Sequence, residues 1–380
     1  MSTKIELLHI CGKARVLSVG SIQTPAILFQ TSGGFQPYLT LDILDKFPEK
    51  PSFYMPFGDL YPLLQALKKS NKSLSEVTCL TDNYLHVQFR DIDNFSSTKH
   101  GSKGLGFSTK DGNRDITSTD YCEYMNILRP SSFTCIPDET SINVGNRKGK
   151  QSLSNTEKWI DEAVELNKTN SVIIGNIYIV IIGNINAYKH LGLLKEHATR
   201  VSQKNIQGIS VGGLYLGETI EERDSMINTI LDCVPKEKLR YITGPQTPLE
   251  ILECVQKGMD IFPCSLPLYL AEHGQASIFW NGENYYSNEE DDTTVLDLSN
   301  IHYHEDHSPL CKGCTCYTCK TFTRGYINHL LDVHELLGTM LLLQHNMHHY
   351  ILYMKNIRNS IMNDTFESFS KQVIEHYKGN

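Results

Sequence analysis

Nine residues constrain this chain more than any others: Cys311-Lys312-Gly313-Cys314-Thr315-Cys316-Tyr317-Thr318-Cys319. Four thiols in so short a run point to a metal. A C-x-C-x-x-C turn presents three sulfurs from one tight loop, and zinc gathers four such ligands tetrahedrally at ~2.0–2.3 Å. Four ligands from one short segment are hard to place in a tetrahedron, so the fourth is expected from elsewhere. His329, His334, His345, His348 and His349 are the downstream candidates. His345 follows a helix-like stretch at 326–343 that carries the chain away and back. Cys311 is the spare thiol and stands as an alternative to the histidine. The spacing matches neither common ferredoxin pattern, which argues against an iron–sulfur cluster. A Cys₃His site has no open position, so its role would be structural.

The other seven of the eleven cysteines are scattered, and the first twenty residues hold no apolar core of signal-peptide length. A cytosolic protein with one metal site is therefore expected, not a disulfide scaffold. The most apolar run, 171–183, is 13 residues long and interrupted by Gly175 and Asn176. That is too short to span a bilayer and suits a strand buried on both faces.

Apolar strand-like runs at 26–29, 104–109, 171–174, 177–182, 208–211 and 240–242 alternate with helix-like segments at 62–70, 120–128, 156–168, 188–204, 220–233 and 248–257. Such alternation predicts βαβ units and a parallel sheet. At 380 residues a closed (β/α) barrel with additions is favoured, and no Gly-rich nucleotide fingerprint follows any of these strands. Asp111-Gly112 between two strand-like runs predicts a hairpin. Thr117-Ser118-Thr119-Asp120 predicts a helix start resembling a capping box. Six acidic residues and no basic one between 281 and 300 predict a solvated excursion. The formal net charge of −8 argues against gripping a polyanion by bulk charge.

The zinc-like run, followed after 25 residues by His345-Asn346, resembles the signature of the tRNA-guanine (queuine) transglycosylase family. Its surroundings agree: Tyr303-His304-Glu305-Asp306-His307-Ser308-Pro309-Leu310, Thr323-Arg324-Gly325-Tyr326-Ile327-Asn328-His329-Leu330 and Glu335-Leu336-Leu337-Gly338 resemble the family's C-terminal subdomain. Upstream, Ser32-Gly33-Gly34-Phe35-Gln36 resembles its first active-site loop, and Gly106-Phe107 with Asp111-Gly112 its inserted hairpin. Val211-Gly212-Gly213-Leu214-Tyr215-Leu216-Gly217-Glu218 resembles its base-binding loop, and Gly258-Met259-Asp260-Ile261-Phe262 its late barrel strand.

The resemblance implies an α/β fold, a (β/α)₈ TIM-like barrel with an inserted β-hairpin and a C-terminal zinc-binding subdomain. It implies one structural Zn²⁺ per chain, held by Cys314, Cys316, Cys319 and His345. The corresponding division is a barrel over 1–280, an acidic connector over 281–310, the zinc subdomain over 311–350 and a closing C-terminal helix over 351–380. It also implies exchange of guanine for a modified base at the tRNA wobble position, with one aspartate as nucleophile and another as acid/base.

The catalytic positions depart from that pattern. Active members carry G-x-D-x-F-D-C in the late strand; here Pro263 stands at the nucleophile position. Asp260, three residues earlier, is expected on the opposite face and is read as structural. The acid/base aspartate precedes S-G-G-F-Q, where this chain has Thr31. Tyr269 and Glu272 stand where active members keep two tRNA-contacting arginines, and the amide of the V-Q-G loop is matched to Val180-Ile181-Ile182-Gly183 and counted as lost. Asp138 is matched to the family's guanine-binding aspartate; with Gly212, Gly213 and Leu214 it forms a candidate vestigial base pocket.

The pattern implies a non-catalytic member that forms a heterodimer with a catalytic homologue and meets tRNA through that complex. In the family the zinc subdomain and its adjoining helices form the dimer interface, and the leucine-rich stretch from residue 326 onwards suits that role. A divergent active transglycosylase and a zinc-containing tRNA- or protein-interaction module are the alternatives. A cytoplasmic location is expected, and without a span or lipidation motif any contact with an organelle membrane would be peripheral.

Overall fold

Alternating strands and helices close into a barrel. The computed structural model describes residues 5–89, 92, 99–100, 104–170, 179–282 and 294–378. Eight parallel strands pair in chain order: Ala26–Gln30, Ser52–Pro56, Leu85–Gln88, Ser132–Thr134, Val180–Asn186, Gly208–Gly212, Leu239–Ile242 and Ile261–Cys264. The last returns to the first through the register Ile261↔Ala26 to Cys264↔Phe29. The runs expected at 26–29, 208–211 and 240–242 are barrel strands. The run at 177–182 is described from residue 179 onwards and its strand continues to Asn186, whereas 171–174 lies outside the described residues. The strands at 52–56, 85–88 and 132–134 escaped periodicity because they are short and send polar residues inward.

Alternation sorts side chains into two layers. Leu28, Tyr54, Tyr84, Val180, Ile182, Leu239, Tyr241 and Ile261 pack together inside the barrel with Leu17 and Val19. The neighbouring residues, among them Ile27, Phe29, Phe53, Met55, Ile181, Ile209, Val211 and Phe262, join the core shared with the helices. Leu17 and Val19 come from the antiparallel pair Ile5–Cys11 and Ala14–Val19, which closes the end of the barrel where the strands begin.

Asp260 lies at that same end. Its carboxylate accepts from Arg15 Nε at 2.8 Å and from the Arg240 backbone N–H at 2.7 Å, with both Arg15 and Asp260 buried. It stands three residues before Pro263, and the alternation that puts Ile261 inside the barrel and Phe262 outside sets the two on opposite faces, as expected, as well as apart along the strand.

The inserted hairpin forms as expected, Leu105–Thr109 against Gly112–Ile116. Its turn residues are Lys110 and Asp111, and Gly112 takes φ 108° as the second strand begins. Thr117 caps the helix Ser118–Leu128 by accepting from Asp120 N–H at 3.1 Å. The helix Asn146–Asn170 starts ten residues before the expected 156.

The stretch at 326–343 is not one helix. Arg324–Asp332 and Leu336–Met362 are separated by His334 at φ 57°, and the second runs unbroken across residues 350 and 351. Phe366–Lys378 folds back so that His376 stacks on Trp280 and Phe369 packs tilted against it. Of the six acidic residues between 281 and 300, Glu283, Glu289, Glu290, Asp291 and Asp292 lie outside the described residues; Asp297 ends a strand paired with Gln275–Ser277. Among the described residues no helix is long and apolar enough to cross a membrane.

Candidate metal centre and barrel-mouth site

The cysteine loop is shaped by its own sequence. Gly313 takes φ 82°, which bends the chain between Cys311 and Cys314. Cys316 caps the helix Tyr317–Thr321, its Sγ accepting from Cys319 N–H at 3.2 Å, so two sulfurs are brought to one side of a single turn. Thr318 Oγ1 donates to Leu341 O at 2.8 Å and its N–H to Gln344 Oε1 at 3.2 Å, tying the loop to the long helix.

That helix delivers His345. Cys314, Cys316, Cys319 and His345 form one buried group whose ligand atoms all lie within 4.8 Å of one another. From His345 Nδ1 the three sulfurs stand at 3.8, 3.5 and 3.4 Å. Zinc at ~2.3 Å from sulfur and ~2.0–2.1 Å from nitrogen sets neighbouring N and S about 3.6 Å apart in a tetrahedron. The donor set therefore fits such an ion. His345 Nε2–H donates to Ser277 O at 2.8 Å, which fixes the tautomer and leaves Nδ1 a bare lone pair facing the sulfurs. The Cys314 thiol is drawn far below the usual thiol range by hydrogen bonds from Cys316 and Cys319, with burial opposing and His345 assisting.

Asn346 completes the arrangement. Its Oδ1 accepts from Ser277 N–H at 2.7 Å while its amide donates to Pro267 O and Gln275 O. The pair His345-Asn346 thus holds both backbone groups of Ser277 and locks the metal loop to the end of the barrel chain.

The other candidate ligands fall elsewhere. His329 and His334 are exposed, His348 Nε2 meets Thr315 Oγ1 at 3.4 Å, and His349, outside the group of four, borders it by a hydrogen bond to Cys314 while its Nε2 lies 2.5 Å from Phe279 O. Cys311 is buried outside the group of four, and burial pushes its thiol up to about 12, with the neighbouring Cys314 and Cys316 adding to the shift. It does not replace the histidine.

At the opposite end from Asp260, where the strands finish, a cavity of about 170 Å³ opens at the barrel mouth. Gly213 and Leu214 line it, with Gln88, Glu139, Asn184, Tyr215, Tyr241 and Gln246. Gly212 borders it: a Cβ there would come within 2.4 Å of Glu139 Oε1. Asp138, expected in this pocket, does not line it. Its N–H donates to Thr156 Oγ1 at 2.9 Å and its Oδ2 accepts from Asn155 Nδ2 at 2.7 Å, both on the helix Asn146–Asn170. The adjacent Glu139 faces the cavity instead.

The matched V-Q-G segment is also displaced. Ile182 belongs to the barrel interior and Gly183 faces Ile206 and Ile160 outside it; the amide that lines the mouth cavity is that of Asn184, with Asn186 two residues further along the strand. Asn186 Nδ2 donates to Asp138 O at 2.9 Å, and Asn184 Nδ2 donates to Cys135 O. The polar alternation Asn184-Ile185-Asn186 at the end of a strand was the available signal.

Pro263 is buried near the mouth end of the last strand, its carbonyl accepting from Gln246 Nε2 at 3.2 Å. Thr31 is buried and donates Oγ1–H to Tyr54 O at 3.1 Å. Gly33 and Gly34 take φ 61° and 86° in the turn that pairs Ser32 with Phe35, and neither lines the cavity.

Comparison with known proteins agrees with this geometry. A family model described as queuine tRNA-ribosyltransferase matches residues 11–379. A protein of Anopheles gambiae named queuine tRNA-ribosyltransferase accessory subunit 2 is 28% identical over 360 residues, covering 91% of this chain and 82% of the relative. One of the same name from Gallus gallus is 25% identical over 391 residues, covering 93% and 91%. A queuine tRNA-ribosyltransferase of Helicobacter acinonychis is 28% identical over 300 residues, covering 78% and 75%.

Proposed function

Because the chain belongs to the queuine tRNA-ribosyltransferase family, we propose that it is the non-catalytic subunit of a heterodimeric enzyme. In that complex a catalytic homologue exchanges guanine for queuine at the tRNA wobble position, and tRNA is met through the complex. The observation that carries this reading is Pro263 at the mouth of the barrel, where the family resemblance implies the nucleophile. Proline offers no attacking atom. Thr31, in the place of the acid/base, has a hydroxyl already committed to Tyr54 O and no proton to exchange near neutral pH. The mouth cavity, at about 170 Å³, is also below the ~300 Å³ at which small-molecule pockets ordinarily begin.

The metal assigned to Cys314, Cys316, Cys319 and His345 is zinc, in a structural role, since four protein ligands leave no position for water or substrate. The ion would fasten the cysteine loop to the helix Leu336–Met362. Around this subdomain Ile301, Tyr317, Tyr326, Val333 and Leu336 are exposed, an apolar face that supports pairing with the homologue. Leu330, Leu341 and Leu342, from the same leucine-rich stretch, are buried in the subdomain's own core. The proposed location is cytoplasmic, with any membrane contact peripheral.

Base exchange into substrate tRNA by this chain alone, by a catalytic homologue alone and by both together tests the reading. The pair is expected to exchange and the isolated chain to match the control without protein. Exchange by the isolated chain sinks the assignment and favours a divergent active enzyme. Failure to co-purify with a homologue favours a free-standing interaction module.

A further inference from the structure

Outside the barrel rim, the short helix Leu266–Glu272 buries Leu270 and Ala271 and turns Tyr269 and Glu272 to solvent. Tyr269 is 53% exposed, yet its ring is held. His273 stacks on one face at 4.0 Å between centroids and 30° between planes, and its Nδ1–H donates to Tyr269 O at 2.7 Å. Glu272, one turn from Tyr269, accepts from the Tyr38 hydroxyl at 3.0 Å. Tyr38 holds that bond from φ 60°, a conformation costly for a bulky side chain.

These groups share a sign. A carboxylate, a tyrosine face and the carbonyl end of a helix all favour a cation. Among the described residues Glu272 pairs with no lysine or arginine. Three other tyrosine rings carry a cation of this chain: Arg223 lies 3.9 Å from the Tyr215 centroid, Lys46 5.1 Å from Tyr317 and Arg324 5.6 Å from Tyr303. Tyr269 has a stacked imidazole on one face and a carboxylate beside it, but no such cation among the described residues.

We infer that Tyr269 and Glu272, braced by His273 and Tyr38, form a docking point for an arginine of the catalytic homologue. The guanidinium would lie over the open face of Tyr269 and donate to Glu272, a geometry suited to its planar fork. Charge complementarity selects the occupant: a nucleic-acid backbone would meet a carboxylate here, whereas a guanidinium meets an acceptor and a π-face. This inference rests on the accessory-subunit reading, because it presupposes that homologue.

The test measures the dissociation constant for the catalytic homologue with the full chain, Glu272→Gln and Tyr269→Leu, at low and moderate salt. Both positions are exposed, so zinc content and thermal melting are expected to stay unchanged and serve as fold controls. Each variant is expected to weaken binding about tenfold, and Glu272→Gln to flatten the salt dependence. Dissociation constants within about twofold of wild type for both variants overturn the docking point while leaving the accessory reading standing. So does a loss of tRNA affinity in Tyr269→Leu with homologue affinity intact, since the ring then stacks on a base. A wild-type chain that does not bind the homologue overturns the accessory reading itself.

Discussion

His345→Ala separates a metal site from a buried polar cluster. The side chain is fully buried and makes two kinds of interaction: Nδ1 faces three sulfurs, and Nε2–H donates to Ser277 O. Losing the hydrogen bond costs about 1 kcal/mol, and the cavity left by the ring costs roughly 3 kcal/mol. A bound structural zinc contributes far more, on the order of 10 kcal/mol in small zinc domains. That is comparable to the ~5–15 kcal/mol by which whole domains are stable, so loss of a bound ion outweighs the other two terms. His349→Ala is the matched control. It lies one turn further along the same helix, is equally buried, bonds Phe279 O through Nε2 at 2.5 Å and touches Cys314 without belonging to the group of four. It should carry the cavity and hydrogen-bond penalties while keeping the ion. Zinc content by atomic absorption and a calorimetric melt read both. The expected result is one zinc per chain in wild type and His349→Ala, and none in His345→Ala, with an early transition as the C-terminal subdomain unfolds ahead of the barrel. A His345→Ala chain that keeps its zinc and melts with His349→Ala would refute the ligand assignment.

Two further perturbations probe the barrel. Asp260→Ala leaves Arg15 buried without its carboxylate and should cost ~3–5 kcal/mol in urea unfolding, with base exchange by the folded heterodimer unchanged. Normal stability with lost exchange would instead give Asp260 a chemical role. His86 is fully buried inside the barrel, bonded to Ser132 Oγ and stacked on Tyr241, and burial pushes it down to about 3. The unfolded chain takes up this proton near pH 6.5 and the folded chain does not, so the stability is complete above that value and is lost as pH falls towards 3. The His86 contribution should be about 2 kcal/mol smaller at pH 5 than at pH 8. His86→Gln should remove that part of the slope; parallel stability curves for the two proteins would contradict it.

How much of this was legible depended on how local the determinant was. The C-x-C-x-x-C turn is a property of consecutive residues, and the helix that carries His345 obeys the same rule, so the metal group could be named from spacing and resemblance. The barrel strands with apolar runs were visible for the same reason. Ser52–Pro56, Leu85–Gln88 and Ser132–Thr134 were not, because a strand with polar residues facing a barrel interior loses the continuous hydrophobic signal of a parallel sheet. Inside the barrel those residues satisfy one another: Tyr84 and His86 both bond Ser132 Oγ at 2.7 Å, and Tyr241 donates to Gln88 Oε1 at 2.6 Å. No local pattern announces a network assembled from three strands. The mouth cavity was misread through register. A shift of one residue exchanges Asp138 for Glu139, and a shift of two to four places Asn184 and Asn186 where Ile182 had been matched. The one-residue shift changes which way the side chain faces, whereas the shift of two or four keeps the face and moves the amide along the strand towards the mouth.

The departures from the family pattern and the features kept from it have the same physical origin. A catalytic carboxylate at a barrel mouth is a group held partly desolvated for chemistry and contributes nothing to folding, so a subunit relieved of chemistry loses no stability with it. At the two positions proposed to correspond to such groups, Thr31 has a hydroxyl donating into the neighbouring strand and Pro263 a carbonyl held by Gln246. The cysteine loop is different, because it fastens three segments at once. His345 and Asn346 take both backbone groups of Ser277, and Thr318 reaches Leu341 and Gln344. Removing any ligand leaves buried sulfur and imidazole without their partners. Selection for fold alone would therefore retain the metal group and release the aspartates, the distribution expected of the accessory subunit proposed above.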